Sequence, residues 1–179
     1  TRPTSERAKE ALFSMLQFDI EGRRVLDLFA GSGQLGLEAI SRGAEYCMFV
    51  DASAEAIGIV KKNIEKTRFS DNTKTQITDY RNFLRKSAGR EGFDIIFLDP
   101  PYASGALTDA LMRLYRTELM HKGCLIVCES ENGDVSIFDK EPKLADMYTS
   151  VKQSGYGRVN IEILTPCDNY YIKEAKDEE

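Results

Sequence analysis

No apolar run in this chain approaches the roughly 20 residues that a bilayer-spanning helix needs. Nor does a basic segment followed by a short apolar run and a cleavage site open it, so neither anchor nor leader is expected. Histidine occurs once, at His121, and cysteine four times, at Cys47, Cys124, Cys128 and Cys167, with no Cys-x-x-Cys pair. Cys124 and Cys128 would lie roughly 13 Å apart along one strand face, beyond the reach of a disulfide. His121 has no cysteine or acidic residue at ligand spacing, so a structural metal is not expected. The thiols read as reduced, buried side chains of a cytoplasmic protein. Positive charge is also short: 24 Lys and Arg stand against 29 Asp and Glu, a net −5. That balance runs against the usual basic character of nucleic-acid binders. Charge is local, however. Arg2, Arg7 and Lys9 cluster at the start, Lys61, Lys62, Lys66 and Arg68 cluster after the second strand, and part of the acidic excess sits in the tail from Glu174 to Glu179.

What remains is an ordinary globular composition. At 179 residues, with 42% hydrophobic residues, 13 Gly and 5 Pro, the chain suits one domain with a substantial core and neither a disordered nor a fibrous class. Repeats and low-complexity segments are absent. Thr4 or Ser5 is placed to cap a first helix within residues 1–18, with Ala8, Ala11, Leu12 and Met15 at i, i+3, i+4, i+7. Strands and helices then alternate. Val25 to Phe29 is an apolar strand, followed by a Gly-rich turn and a helix carrying Leu35, Leu37 and Ile40; Tyr46 to Val50 is the next strand. Ser53 caps a helix with Ile57, Val60 and Ile64 on one face. Thr75 to Thr78 is a weak strand before a helix near Asn82 to Ala88. Phe93 to Leu98 is the clearest buried strand, Leu107, Ala110, Leu111 and Leu114 mark the next helix, and Leu125 to Cys128 makes a fifth strand.

Continuous apolar strands separated by helices predict a parallel sheet covered on both faces. The end of the chain breaks that rhythm. Val159, Ile161 and Ile163 alternate with polar residues after the turn Gly155-Tyr156-Gly157, and Met147 to Val151 precedes it, which predicts an antiparallel hairpin on one sheet edge. The expected architecture is therefore α/β: a mostly parallel, seven-stranded sheet in one domain over residues 1–166, with a C-terminal tail over 167–179 whose acidic end, from Glu174 to Glu179, is expected to be solvated.

Gly31-Ser32-Gly33-Gln34-Leu35-Gly36 follows the first strand and opens a helix, matching G-x-G-x-x-G, and Asp51 stands at about the distance of a ribose-binding acid. The loop alone leaves a nicotinamide or flavin enzyme open. The acids narrow the choice. Asp27 lies in the first strand just before the loop, and Asp51, Asp79 and Asp99 end the next three, so four carboxylates converge on the crevice at the carboxyl edge of the sheet. A cationic sulfonium cofactor with an ammonium group suits such a rim, whereas a dinucleotide pyrophosphate does not. Asp99-Pro100-Pro101-Tyr102 is the sharpest signal: two prolines after a buried strand impose a rigid, extended exit, and proline has no N–H of its own.

Val25-Leu26-Asp27-Leu28-Phe29-Ala30-Gly31-Ser32-Gly33 resembles the cofactor loop of class I methyltransferases, a Rossmann-like fold. Asp-Pro-Pro-Tyr resembles the catalytic motif of those that modify exocyclic amino groups. The opening Arg2-Pro3-Thr4-Ser5-Glu6-Arg7, the stretch Leu35 to Ala44 and the late Tyr156-Gly157 resemble the bacterial small-subunit rRNA guanine-N2 methyltransferases of the RsmD type. This resemblance implies an enzyme using S-adenosylmethionine, leaving S-adenosylhomocysteine, with no metal. It implies a monomer working in the cytoplasm on small-subunit rRNA or an assembling subunit. It implies that Asp27, Phe29, Ala30, Gly31, Ser32, Gly33, Asp51, Ala52, Asp79, Tyr80 and Asp99 surround the cofactor. Asp99, Pro100, Pro101 and Tyr102 would act on the target amine, and Arg2, Thr4, Arg7, Tyr102 and Arg158 would meet the RNA. Two departures stand out: the family's short basic segment ahead of Arg-Pro-Thr is absent from this sequence, and Asp51 occupies a position where Glu is common. An adenine-N6 DNA or RNA methyltransferase shares the Asp-Pro-Pro-Tyr chemistry, and a catalytically silent scaffold is a third reading.

Overall fold

Side chains alternate across a strand, and in β1 (Arg24–Asp27) that alternation sends Val25 into one hydrophobic layer and Leu26 into another. The computed structural model describes residues 6–102, 104–131 and 136–172. Six further strands join β1: β2 (Tyr46–Asp51), β3 (Thr73–Ile77), β4 (Phe93–Leu98), β5 (Met120–Glu131), β6 (Tyr148–Tyr156) and β7 (Val159–Pro166). Their order across the sheet is β3-β2-β1-β4-β5-β7-β6. The pairs β1–β2, β2–β3, β1–β4 and β4–β5 are parallel, whereas β7 is antiparallel to both β5 and β6. The mostly parallel, seven-stranded architecture with a closing hairpin is thus the one expected.

The helices are α1 (Glu6–Leu16), α2 (Gln34–Ser41), α3 (Ala54–Thr67), α4 (Tyr80–Arg85), α5 (Ala106–Leu114), α6 (Ile137–Lys140) and α7 (Asn169–Ile172). One layer packs Val25, Ile95, Phe97 and Val127 of the sheet against Phe13 and Leu16 of α1, Ala39 and Ile40 of α2, and Val60 and Ile64 of α3. The opposite layer packs Leu26, Ile96, Leu98 and Ile126 against Phe83 and Leu84 of α4 and Leu111 and Leu114 of α5. Ser53 caps α3, its Oγ accepting from the Ala56 N–H at 3.1 Å, and Ile57, Val60 and Ile64 form the buried face, both as expected.

Several boundaries differ from the sequence reading for local physical reasons. The buried face of α1 is Ala8, Leu12, Phe13 and Leu16 rather than Ala8, Ala11, Leu12 and Met15. The bulk of Phe13, whose ring lies tilted 6.0 Å from that of Phe97, turns the helix toward it. α4 starts two residues early because the Asp79 carboxylate caps it, accepting from the Arg81 N–H at 2.8 Å. β5 is far longer than Leu125–Cys128 because β7 pairs along its end, from Ile126 to Glu131, and Met120 at its start pairs with Phe93 of β4. The C-terminal tail contains α7, whose Tyr170 is buried and donates its hydroxyl hydrogen to the Thr117 carbonyl. The Thr4 or Ser5 cap and the acidic stretch from Glu174 fall outside the described residues.

The chain steps outward from β1 through β2 to β3, then returns to lay β4 along the other side of β1. The loops leaving β1 and β4 therefore diverge, which opens a crevice above their carboxyl ends. The β6–β7 turn reaches the same edge, because Val159 at the start of β7 faces Glu131 at the end of β5.

Candidate active site

The loop after β1 is held from below by acids and shaped by glycines. Gly31 and Gly33 have φ of 55° and 84°, a region that favours glycine. The Asp27 carboxylate, buried at the end of β1, accepts from the Gly36 N–H at 3.1 Å. A methyl group on Gly36 would collide with the Phe49 ring and come within 2.7 Å of Cys47 Sγ, so this glycine lets α2 lie directly on β2. Asp51 accepts from the Gly31 N–H through Oδ2 at 2.9 Å and from the Ser53 N–H through Oδ1 at 2.9 Å, tying the loop to the next strand. Asn63, one position from the buried stripe of α3, completes the clamp by donating to the Ser32 carbonyl at 3.0 Å.

Beside this loop lies a cavity of about 890 Å³, within the range of roughly 300–1,000 Å³ usual for small-molecule sites. Asp27, Phe29, Ala30, Gly31, Ser32, Asp51, Ala52, Asp79, Tyr80 and Asp99 all face it. Of the residues expected to hold the cofactor, only Gly33 lies behind the wall, buried at the start of α2. Burial pushes the Asp27 carboxyl up to about 7, against the pull of the Gly36 N–H, and the neighbouring Asp99 and Asp51 carboxylates add to the rise. The strand-end acids thus feel one another, as an acidic rim requires. Tyr80 stacks on Phe29 at 5.0 Å between ring centres and donates its hydroxyl hydrogen to Asp109 at 2.7 Å. Asp109 also accepts from Arg81 and Arg113, so it ties α4 to α5 beside the cavity. Burial and the Asp109 hydrogen bond push Tyr80 up to about 12, which keeps it a donor.

A second cavity, of about 240 Å³, lies on the other side of the tetrapeptide. Pro100, Tyr102, Glu129 and Ile137 line it, and Pro101 and Ser104 line both cavities. Asp99 faces the larger one, so Asp99-Pro100-Pro101-Tyr102 forms the seam between the two. The seam is braced: Ser104 Oγ donates to the Pro101 carbonyl at 2.7 Å and accepts from the Ala106 N–H at 3.2 Å.

A match of the family model described as conserved hypothetical protein 95 spans residues 1–165 of the chain. The Ribosomal RNA small subunit methyltransferase D of Haemophilus influenzae is 31% identical over 163 residues, covering 90% of this chain and 81% of that one. The chain belongs to this methyltransferase family. Another relative, the Bacillus subtilis protein YlbH, provisionally named an rRNA methyltransferase, is 41% identical over 132 residues, 73% of this chain and 72% of its own. Among solved structures, an Escherichia coli protein named provisionally as the methyltransferase yhhF superposes with a TM-score of 0.79 at 27% identity, over 93% of this chain and 88% of that one. Membership in the family sets aside the nicotinamide or flavin reading that the glycine loop alone left open.

The residues expected to meet RNA are only partly placed. Arg2 and Thr4 lie outside the described residues. Arg7 is exposed on the first turn of α1, and Arg158 is exposed at the β6–β7 turn, on the same edge as the crevice but two strands beyond β4. Lys61, Lys62, Lys66 and Arg68 follow the half of α3 that leads away from the crevice. Cys47, Cys124 and Cys128 are buried free thiols whose pKa values burial raises, so they offer no nucleophile. His121 has an acidic neighbour that its spacing in sequence hid: Asp94, across the β4–β5 pairing, at 3.1 Å. Among the described residues no group of histidine, cysteine and acid side chains is arranged to hold a metal.

Sequence reasoning passed over Asn63, Asp109 and Glu129. Asn63 was detectable as an amide beside an apolar helical stripe, and Glu129 as a charge directly after the apolar run of β5. Asp109 showed only its i,i+4 partner Arg113 on the same helix, because its other partners, Tyr80 and Arg81, lie on α4.

Proposed function

We propose that the chain transfers the methyl group of S-adenosylmethionine to the exocyclic N2 amino group of a guanine in small-subunit rRNA, in the cytoplasm. The observation that carries this reading is the Asp99-Pro100-Pro101-Tyr102 seam, with a large acid-rimmed cavity on one side and a small cavity on the other. The relatives named for small-subunit rRNA methylation support the substrate class.

The larger cavity fits the cofactor chemically: its volume suits a nucleoside with an amino-acid arm, and its carboxylates suit a sulfonium and an ammonium cation. When bound, the cofactor supplies an electrophilic methyl group. Asp27 holds the ammonium end, Asp51 accepts from the ribose hydroxyls with the lone pairs that its two backbone N–H donors leave over, and Asp79 accepts from the adenine amino group. Gly31 and Gly33 let the backbone come close. The target base leaves its stack and enters the smaller cavity. An aryl amine is a weak nucleophile because its lone pair is delocalised into the ring. Asp99 and the Pro100 carbonyl accept its two hydrogens, localise the pair and aim it across the seam, while Tyr102 stacks on the ring. Positioning of this kind contributes several kcal/mol. Arg2, Arg7 and Arg158 meet RNA phosphates, and Thr4 is a further RNA contact.

The test is methyl transfer from isotopically labelled S-adenosylmethionine to small subunits from cells lacking the modification, with naked rRNA and DNA in parallel. N2-methylguanosine in rRNA digests is the expected product; N6-methyladenosine, or methylated DNA alone, would replace this reading with the adenine one. Asp99→Ala should abolish transfer while leaving S-adenosylhomocysteine affinity within a few-fold. Lost binding with intact chemistry would remove Asp99 from its role.

A further inference from the structure

We infer that Glu129 reads the Watson–Crick edge of the target base and is the residue that selects guanine over adenine. The inference rests on the guanine-N2 reading of the same site and adds its specificity determinant.

The placement follows from register. β4 and β5 run parallel with Leu98 opposite Cys128, so Asp99 and Glu129 are the next residues on neighbouring strands, roughly 4.8 Å apart in the pairing direction. Leu98 and Cys128 both pack into the α4–α5 layer, while Phe97 and Val127 pack into the α1–α3 layer. Alternation therefore turns Asp99 and Glu129 toward the same face of the sheet. Glu129 is 3% exposed, and it lines the small cavity with Pro100, Pro101 and Tyr102. Asp99 lines the larger cavity and Glu129 the smaller, so a base in the smaller cavity whose amino nitrogen reaches Asp99 across the seam would bring its adjoining ring position toward Glu129.

The chemistry at that position separates the two purines. The exocyclic amine of guanine adjoins N1–H, a donor; that of adenine adjoins a bare N1, an acceptor. An ionised carboxylate only accepts. Glu129 pairs with the guanine N1–H and confronts the adenine N1 lone pair. In a buried site that mismatch is severe, because a site built to bond a substrate N–H discriminates against an analogue lacking it by as much as about 10⁴- to 10⁵-fold. Asp99 and the Pro100 carbonyl cannot discriminate in this way, since both purines offer them the same amino group.

The experiment begins with unmodified wild-type protein and small subunits carrying the target guanosine, located by mass spectrometry of the methylated rRNA. The same RNA is then rebuilt with 2-aminopurine riboside at that position, which keeps the 2-amino group, makes N1 an acceptor and removes the O6 carbonyl. Wild-type kcat/KM should fall roughly 100-fold or more on the substituted RNA. Glu129→Gln, whose amide both donates and accepts, should lose about 10-fold or more on guanine. It should also narrow the guanine-to-2-aminopurine ratio to under about 10-fold, with S-adenosylhomocysteine affinity and melting temperature near wild type. Equal wild-type rates on the two RNAs, or an unchanged ratio in Glu129→Gln, would overturn the role of Glu129 and leave guanine-N2 methylation standing. Wild-type product at adenine, or none in rRNA, would overturn both. The wild-type arm needs no variant, so a poorly folding Glu129→Gln would not blunt the test.

Discussion

Replacing Asp27 by asparagine probes the link between the acidic rim and the cofactor. The Asp27 carboxyl is buried and raised from 3.8 to about 7. The folded state therefore holds this proton more tightly than the unfolded chain does. Its contribution to stability is fully present below about pH 4 and is lost as pH rises through about 7. A difference of about three pKa units, at about 1.36 kcal/mol each, amounts to about 4 kcal/mol across that window. An asparagine at this position would remain neutral, and its side-chain oxygen can still accept from the Gly36 N–H. Denaturant titrations from about pH 5 to 8.5 should thus show Asp27→Asn gaining a few kcal/mol on wild type as pH rises. The cofactor ammonium favours the ionised carboxylate, so binding should reverse the balance. Calorimetry of S-adenosylhomocysteine binding, in buffers of different ionisation enthalpy, should find close to one proton released per wild-type molecule near pH 6 and none from Asp27→Asn. The variant should also bind more weakly at pH 8. Parallel stability curves for the two proteins, together with equal proton release, would refute the electrostatic account of the rim.

Tyr102→Ala should lower kcat/KM by about 5- to 150-fold, from a stacking contribution of roughly 1–3 kcal/mol, and Tyr102→Phe should be nearly silent; equal damage in steady-state assays would reject the stacking role. Gly36→Ala places a methyl group against the Phe49 ring and Cys47, which should cost roughly 1–3 kcal/mol by overpacking and show as a lower melting temperature. Glu162, buried on β7, accepts from Ser136 Oγ at 2.9 Å and the Ile137 N–H at 3.4 Å, and so pins α6, which supplies Ile137 and Lys140 to the small cavity. Glu162→Ala should raise KM for RNA while leaving kcat and cofactor affinity near wild type; an unchanged KM would detach α6 from the substrate side.

Much of the fold is legible because its signals are local. The apolar runs of β1, β2 and β4, the Ser53 cap and the i, i+3, i+4, i+7 stripe of α3 lie within a few residues of one another. The strand-end acids Asp27, Asp51 and Asp99 are legible too, since in a parallel sheet every strand delivers its carboxyl end to the same edge. Element boundaries are less so. α1 turned toward Phe97, a partner far along the chain on β4, and β5 grew because β7 paired with it.

The sequence by itself determined an α/β chain with a parallel sheet and a closing hairpin, a glycine-shaped loop after β1 and a rigid Asp-Pro-Pro-Tyr exit after β4. Those depend on periodicity, on proline and glycine backbone limits and on residue types in short windows. Tertiary structure alone decided that Asp51 clamps Gly31, that Asp109 joins α4 to α5, that Asp94 meets His121, and that Glu129 stands beside Asp99. Each of these pairs is set by strand order, register and helix packing, which are collective properties of the core and leave no trace in the spacing of the residues they bring together.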